Sequence, residues 1–278
     1  MPFRTVLSVI GVDQSDNDLK TAIGLCREIN AHLSVLVVAL AASPPIGEYA
    51  AVLSDPWLEE REDDIARLRE RVDQVTAIVA ESGLSADVDS EYSEMAWTDA
   101  VVGQRARYAD LTVVGPELSD GENLKTYVLN GGLFESGTPV LIVPKVANAT
   151  LCPKCVLIAW DSRIEASRAV REAIELLKGA KDVHVTLVDP DSTGAGNGPE
   201  PGADIATFLA RHGVKVTVDR LPSSGHSVAD VLRQHAIDIS ADMIVMGGYG
   251  HSRLRERIFG GVTKSMIDEP PMPLLMAR

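Results

Sequence analysis

The chain of 278 residues is long enough for one large domain or for two domains of ordinary size. Apolar residues make up 45% of it and charged residues 24%, the proportions of a globular protein rather than of a disordered one. The net charge of −14 argues against nonspecific binding to nucleic acid or to an anionic membrane surface.

The N-terminal stretch MPFRTVLSVIGVDQSD is apolar at its centre but has no small-residue cleavage site, and Asp13 and Asp16 follow at once. We interpret it as a first strand rather than as a signal peptide. The longest strongly apolar stretch, Val35 to Ala42, is far shorter than the ~20 residues of a membrane helix. We therefore expect a cytoplasmic protein without a membrane partner.

In the first half of the chain, apolar strands alternate with helical patterns. The first strand covers Thr5–Val12. A later helix ends at Ser82-Gly83 and carries apolar residues at alternating spacings of three and four, at Ile65, Leu68, Val72, Val75 and Val79. The half closes with an apolar strand at Val140–Val143.

The second half has the same order of elements, with a glycine- and proline-rich loop at Asp191–Ala203. We predict strands at Val156–Trp160, Val183–Val188, Val214–Asp219, Met243–Met246 and Pro273–Ala277. We predict helices at Ile164–Lys178, at His226–Ile237 and at Arg253–Asp268. We also predict a short helix that follows the loop and ends at about Arg211.

The two halves repeat a sequence pattern. The segment Ala109–Gly115 matches Ala241–Gly247 as A-D-x-x-V-x-G, and Gly131-Gly132 matches Gly260-Gly261. A duplicated unit of ~130–145 residues has the size of an ordinary domain. We predict two tandem domains, residues 1–147 and 151–278, joined near the sequence VANAT.

Strands that alternate with helices indicate βαβ units. Each domain is therefore predicted as a doubly wound α/β fold, a five-stranded and mostly parallel sheet with helices on both faces. Ligands of such sheets bind outside the carboxyl ends of the strands. The last strands, Val140–Val143 and Leu274–Ala277, are predicted to pair antiparallel in an intrachain pseudo-dimer, and a further homodimer of chains is left open.

The most distinctive segment of the second half is the loop that follows the strand Met243–Met246. It contains Gly247 and Gly250, which let the backbone turn tightly and approach a ligand. The helix after it is basic, with Arg253, Arg255 and Arg257. Backbone N–H groups at a helix start can bind phosphate. The segment therefore indicates either a phosphate site or a plain turn before a solvated basic helix.

The glycine spacing G-x2-G-x9-G, at Gly247, Gly250 and Gly260, resembles the nucleotide-binding signature of the universal stress protein family. The whole chain resembles two domains of that family in tandem, strongly in the second half and more weakly in the first. The resemblance implies that the second domain binds ATP or a related adenine nucleotide, with or without Mg²⁺. It implies contacts to adenosine at Ala159, Asp161 and Val188, and contacts to phosphate and ribose at Gly247, Gly250, Gly260, Gly261, Val262 and Thr263.

Gly261 departs from the family pattern, which commonly has Ser or Thr directly after the last glycine. The departure removes a hydroxyl that would bond a phosphate, although Gly261 keeps its N–H and Thr263 has a hydroxyl two residues on. His251 lies inside the loop, where its ring either donates to a phosphate or caps a turn.

The corresponding loop of the first half has lost the pattern. Leu118 stands where the second half has Gly250, and Pro116 lacks a backbone donor. The acidic side chains of the loop would repel phosphate, namely those of Glu117, Asp120 and Glu122. We therefore expect the first domain to be structural or regulatory and not to bind ATP.

Other constellations indicate no catalytic or metal centre. Cys152 and Cys155 form a CxxC, but a structural zinc site needs four ligands, so we interpret the pair as structural. The six histidines form no HxxxH pair, and we expect no metal site. The chain has no P-loop, no G-x-S-x-G elbow and no G-x-G-x-x-G after a first strand.

Three functional hypotheses follow. The first is a stress-response protein that binds an adenine nucleotide in its second domain and acts by binding and signalling. The second is an adaptor or scaffold whose glycine loop serves only the turn. The third is a weak ATPase or nucleotidyl-transfer enzyme assisted by Asp161 or His251. The basic loop and the glycine spacing favour the first over the second, and the missing catalytic set disfavours the third.

Overall fold

The computed structural model of the chain describes residues 3–41, 55–120, 123–145, 148–191, 199–248 and 261–278. The described residues form two compact units, Phe3–Thr138 and Pro139–Arg278. In these parts of the chain, no helix is both long enough and apolar enough to cross a membrane.

The first unit is a parallel sheet with the strand order β3-β2-β1-β4. A π-helical turn over Gly131–Ser136 follows its last helix. Its elements are β1 (Thr5–Gly11), α1 (Asn17–Ile29), β2 (His32–Ala41), α2 (Asp55–Ser82), β3 (Ala86–Glu94), α3 (Thr98–Ala106), β4 (Leu111–Val114), α4 (Pro116–Asp120) and α5 (Asn123–Asn130).

The second unit is a sheet with the strand order β5-β10-β9-β6-β7-β8, parallel except for its first pair. Its elements are β5 (Val140–Ile142), β6 (Cys155–Ala159), α6 (Ile164–Glu172), α7 (Ile174–Gly179), β7 (Asp182–Val188), α8 (Ala203–Arg211), β8 (Val216–Leu221), α9 (Val228–Asp238), β9 (Met243–Gly247), α10 (Gly261–Asp268) and β10 (Leu274–Ala277).

The strands agree with the predicted α/β fold of two tandem domains. Strands β4 and β10 are buried along their whole length, as expected where helices cover both faces of a sheet. The predicted helix over Ile164–Lys178 is interrupted at Ala173, yet its hydrogen bonding continues there: Ala173 N donates to Ala169 O, and Leu177 N donates to Ala173 O. Of the predicted helix Arg253–Asp268, the described residues begin at Gly261.

The predicted antiparallel pairing of the two last strands is confirmed. β5 pairs with β10 in the register Leu274 with Ile142 and Met276 with Val140. Both strands are fully buried. The apolar strand that ends the first half of the sequence therefore completes the sheet of the second unit, whereas the limits 1–147 and 151–278 stay predictions.

The repeated A-D-x-x-V-x-G segment has the same structural role in both units. Asp110 Oδ2 accepts hydrogen bonds from the backbone N–H of Arg4 and Thr5 at 2.7 and 2.9 Å. Asp242 Oδ2 accepts from Lys154 and Cys155 at the same two distances. Each aspartate thus fixes the start of the central strand, β1 or β6, beside the start of its neighbour, β4 or β9.

Candidate functional site

The candidate site lies at the topological switch point of the second sheet. The chain runs from β6 through β7 to β8 on one side and then crosses to β9 on the other side of β6. Ala159 at the end of β6 pairs with Met246, and Gly247 follows as the last residue of β9. Ligands of open α/β sheets bind in the crevice that forms where the strand order reverses in this way.

The loop after β6 holds Asp161 close to the start of α6. Asp161 Oδ1 accepts a hydrogen bond from the backbone N–H of Arg163 at 3.0 Å, and the Arg163 guanidinium lies 3.7 Å from its other oxygen. The Asp161 side chain is 58% exposed, so a ligand could still reach the carboxylate. Ser162 between them has a φ of +63°, which is uncommon for a residue with a side chain.

Val188 ends β7, and the residue after it is held in a similar way. Asp189 has a φ of +45°, and its Oδ1 accepts a hydrogen bond from Ser223 N at 2.9 Å. Hydrogen bonds from Ser223 hold the pKa of the Asp189 carboxyl below its usual value. The structure therefore adds Asp189 to the edge predicted to contact adenosine, at a position that the sequence pattern did not single out.

Gly247 is required by the packing of its own domain. A Cβ at Gly247 would overlap the backbone of Glu165 and Ala166 at the start of α6. Gly115, the equivalent glycine of the first unit, likewise has no room for a Cβ because Asp18 of α1 lies against it. The first glycine of the motif is thus explained by helix packing in both units, with or without a ligand.

The start of α10 completes the described part of the site. A Cβ at Gly248 would lie 3.9 Å from the Thr263 methyl group, and Gly248 N donates to Ala277 O at 3.0 Å. Thr263 is buried and Val262 is half-buried. Gly261 is exposed, and beyond its own helix no atom of the described residues lies within 4 Å of the place where a Cβ would be. The structure thus places the start of α10 beside the end of β9.

The remaining predicted contacts, Gly250, His251 and Gly260, lie outside the described residues. Their predicted roles stay predictions. Of the ten predicted contacts, the structure therefore places Ala159, Asp161, Val188, Gly247, Gly261, Val262 and Thr263.

In the first unit, an internal carboxylate occupies the loop that corresponds to the glycine loop. Asp18 is fully buried, and its two oxygens accept hydrogen bonds from the backbone N–H of Glu117 and Leu118 at 2.7 and 2.8 Å. These N–H groups belong to the first turn of α4, where no intrahelical acceptor exists for them. Charge-assisted bonds of this kind compensate for the burial of the charge.

A second carboxylate, that of Glu117, joins the same region of the first unit to the start of α1. Glu117 accepts hydrogen bonds from Ser15 N and Asn17 Nδ2, each at 2.8 Å, and from the Ser15 hydroxyl. Arg71 of α2 is buried and donates to Asp16 Oδ1 at 2.8 Å. The loop amides, the carboxylates and the arginine are thus paired with one another.

The second unit has no carboxylate at the position equivalent to Asp18. Asp18 lies against Gly115, and Ala166 lies against the matching Gly247. Ala166 is buried and carries only a methyl group. The first unit therefore supplies a carboxylate of its own at this position, whereas the side chain at the equivalent position of the second unit is uncharged.

Cys155 of the CxxC pair does not have the environment of a reactive thiol. Cys155 is partly buried, its Sγ lies 3.5 Å from Ile239 O, and burial together with Asp182 and Asp242 raises its pKa. Burial also raises the pKa of Cys26 to about 12. Reactive cysteines have a lowered pKa instead, so these contacts favour the structural interpretation of Cys155.

Comparison with known proteins identifies the relatives of this fold. The model of the universal stress protein family matches residues 154–278, which include every placed residue of the candidate site. No curated protein matches the chain.

Solved structures match over nearly the full length. A universal stress protein from Archaeoglobus fulgidus has 19% identity and a TM-score of 0.66, with 98% of each chain covered. A Pseudomonas aeruginosa protein described as a universal stress protein has 17% identity and a TM-score of 0.59, covering 99% of this chain and 93% of that one. A P. aeruginosa protein of unknown function has 18% identity and a TM-score of 0.57, covering 99% and 92%. At these identities the likeness concerns the fold.

Proposed function

We propose that the second domain, of which residues 154–278 match the model of the universal stress protein family, binds ATP or a related adenine nucleotide. The nucleotide binds with or without a Mg²⁺ ion. The protein acts in a stress response by binding and signalling rather than by fast catalysis. The Asp161 and Asp189 carboxylates at this edge accept hydrogen bonds from backbone N–H groups, and fixed carboxylates of this kind suit the binding of a ligand.

One observation carries this proposal: the exchange of Asp18 in the first unit for Ala166 in the second. In the first unit a carboxylate accepts hydrogen bonds from the N–H groups that follow β4. In the second unit the equivalent side chain is a methyl group, so an anion from outside could take that role. The triphosphate of ATP is such an anion, and backbone N–H groups at a strand-to-helix turn suit it.

The experiment transfers the carboxylate from one unit to the other. Mg-ATP is titrated calorimetrically into the full chain, into Ala166→Asp and into the uncharged isostere Ala166→Asn. We expect binding to the unchanged chain and a loss of at least about tenfold in Ala166→Asp, because like charges a few Å apart repel by about 1–4 kcal/mol. Ala166→Asn should lose less, since it adds bulk without charge.

Circular dichroism and thermal unfolding establish that both variants are folded. Asp18 against Gly115 is an example of a carboxylate that fits at this position of the fold. Equal affinity of the folded Asp variant and the unchanged chain would contradict the proposed phosphate position.

The scaffold hypothesis is the second candidate, because packing alone accounts for Gly247. It predicts that the full chain binds no adenine nucleotide at all. The same titrations with ATP, ADP and AMP distinguish the two functions, since a scaffold would give no heat of binding with any of them.

A further inference from the structure

A cluster of two histidines and one aspartate lies away from the candidate nucleotide site. His184 is on β7, Asp219 on the neighbouring strand β8, and His235 on α9. Asp219 pairs in register with Thr186, two residues after His184, so both side chains lie on the same face of the sheet. Helix α9 contributes His235 from above this face.

One carboxylate oxygen contacts both imidazole rings. Asp219 Oδ2 lies 2.7 Å from His184 Nδ1 and 2.8 Å from His235 Nε2. One ligand atom from each of the three residues lies within 4.8 Å of the other two. The ligands of a four-coordinate Zn²⁺ are about 3.3 Å apart, so Asp219 Oδ2 would move about half an ångström away from each imidazole nitrogen to hold the ion.

The surroundings suit a bound cation. The three side chains are 16–21% exposed, so an ion can reach them while most of each side chain stays packed. Two imidazoles and one carboxylate are ligands that Zn²⁺ accepts, and three protein ligands leave one position for water. The net charge of −14 also raises the local concentration of cations.

The first unit offers a comparison that lacks one ligand. Ser34 and Asp87 form the register pair there, and Ser34 Oγ donates to Asp87 Oδ2 at 3.0 Å. His32 contacts Asp87 at 2.5 Å, but Ser85 occupies its other ring nitrogen. With a single histidine this group is a hydrogen-bonded pair, and it serves as an internal control.

We infer that His184, Asp219 and His235 form a site for a divalent transition-metal ion of the Zn²⁺ type, joining β7, the edge strand β8 and α9. The site differs from the nucleotide site in its residues and in its ligand. Sequence spacing concealed it, because its three residues come from three separate elements.

The test uses the full chain, untagged, stripped of metal with EDTA and kept free of nucleotide, because nucleotides chelate metal ions. Zn²⁺ is titrated in competition with a chromophoric chelator. We expect one Zn²⁺ per chain and a rise in Tm on binding. Asp219→Asn and His235→Gln should each weaken the affinity by at least about tenfold, the range seen even for residues one shell further out.

Two control variants make the result specific. His32→Gln removes the other histidine–aspartate pair, and Cys152→Ser removes the exposed thiol of the CxxC; both should leave Zn²⁺ affinity unchanged. Circular dichroism tests whether each variant is folded. Asp219→Asn is expected to fold because its side chain keeps an oxygen that can accept hydrogen bonds from both imidazole rings. Failure of the folded chain to bind Zn²⁺ would overturn the inference and leave a hydrogen-bonded structural cluster. Binding that survives Asp219→Asn and disappears in Cys152→Ser would overturn it equally.

Discussion

At the scale of single residues, one side chain distinguishes the two halves of this duplicated protein. Asp18 carries its negative charge into a buried position and satisfies two N–H groups of the loop after β4. Ala166 has no such group. The sequence analysis expected the first loop to repel phosphate through its acidic residues. The structure adds a direct cause, because the amides that would hold a phosphate already have a carboxylate.

The first residue-scale prediction concerns Gly250, the second glycine of the motif. Gly250→Val should abolish binding of Mg-ATP in a folded protein, because a branched side chain fills the space that the phosphates need. Titration calorimetry measures the affinity. Gly179→Val is the matched control, since Gly179 ends α7 with open space around it. Unchanged affinity in folded Gly250→Val would place the nucleotide elsewhere.

The second residue-scale prediction concerns Gly261, where the family pattern commonly has a hydroxyl. Gly261→Ser should strengthen ATP binding or leave it unchanged, because it restores the hydroxyl of the family pattern and a Cβ there would meet no atom of the rest of the described chain. A hydrogen bond to a charged group adds about 1.5–3 kcal/mol at best. Calorimetry compares the ATP dissociation constant of Gly261→Ser with that of the unchanged chain, and Gly179→Ser is the control. A tenfold loss of affinity would mean that the glycine backbone itself is required there.

At the scale of secondary-structure elements, the repeated aspartates determine where the central strands begin. Asp110 and Asp242 each bridge two successive backbone N–H groups of the neighbouring strand's start. The repeated A-D-x-x-V-x-G segment therefore aligns the starts of two neighbouring strands in each unit, β1 with β4 and β6 with β9. Its glycine, in turn, allows the first helix of each unit to lie close to the sheet.

This role predicts a loss of stability rather than of binding chemistry. Asp242→Ala should lower the free energy of unfolding by about 1–2 kcal/mol, because two hydrogen bonds to a partly exposed carboxylate are lost. Asp242→Asn should lose less, since its carbonyl oxygen still accepts. Urea unfolding followed by circular dichroism measures both. Equal stability of Asp242→Ala and the unchanged chain would contradict the alignment role.

At the scale of the whole molecule, the two units of a duplicated fold differ at equivalent switch points. Each unit has a switch point at the carboxyl ends of its central strands. Asp18 and Glu117 bond to backbone N–H groups at the first switch point, whereas in the described part of the second unit Ala166 stands where the first has Asp18.

The prediction at this scale is a stoichiometry near one nucleotide per chain. Calorimetric titration of the full chain with Mg-ATP measures it directly, with the active protein fraction determined independently. Two equivalent sites per chain would mean that an incoming phosphate displaces the Asp18 carboxylate, and the asymmetry described above would not control binding.

Much of this architecture could be predicted from the sequence. Strand and helix periodicity, the internal repeat and the two apolar last strands depend on neighbouring residues, and neighbours along the chain are enough to specify them. The α/β fold and the tandem organisation follow from that local information, whereas the antiparallel pairing of β5 with β10 is expected because both are apolar last strands of duplicated halves.

Contacts between distant residues were decided only by the tertiary structure. Asp18 meets Leu118 across 100 positions, and His184 meets Asp219 across 35. Spacing along the chain does not predict such pairs. The contacts arise from the order of the strands in the sheet, from their register and from the helix that covers each face. For the same reason, Gly247 appeared in the sequence as part of a ligand loop, whereas the fold gives it a packing role against α6 as well.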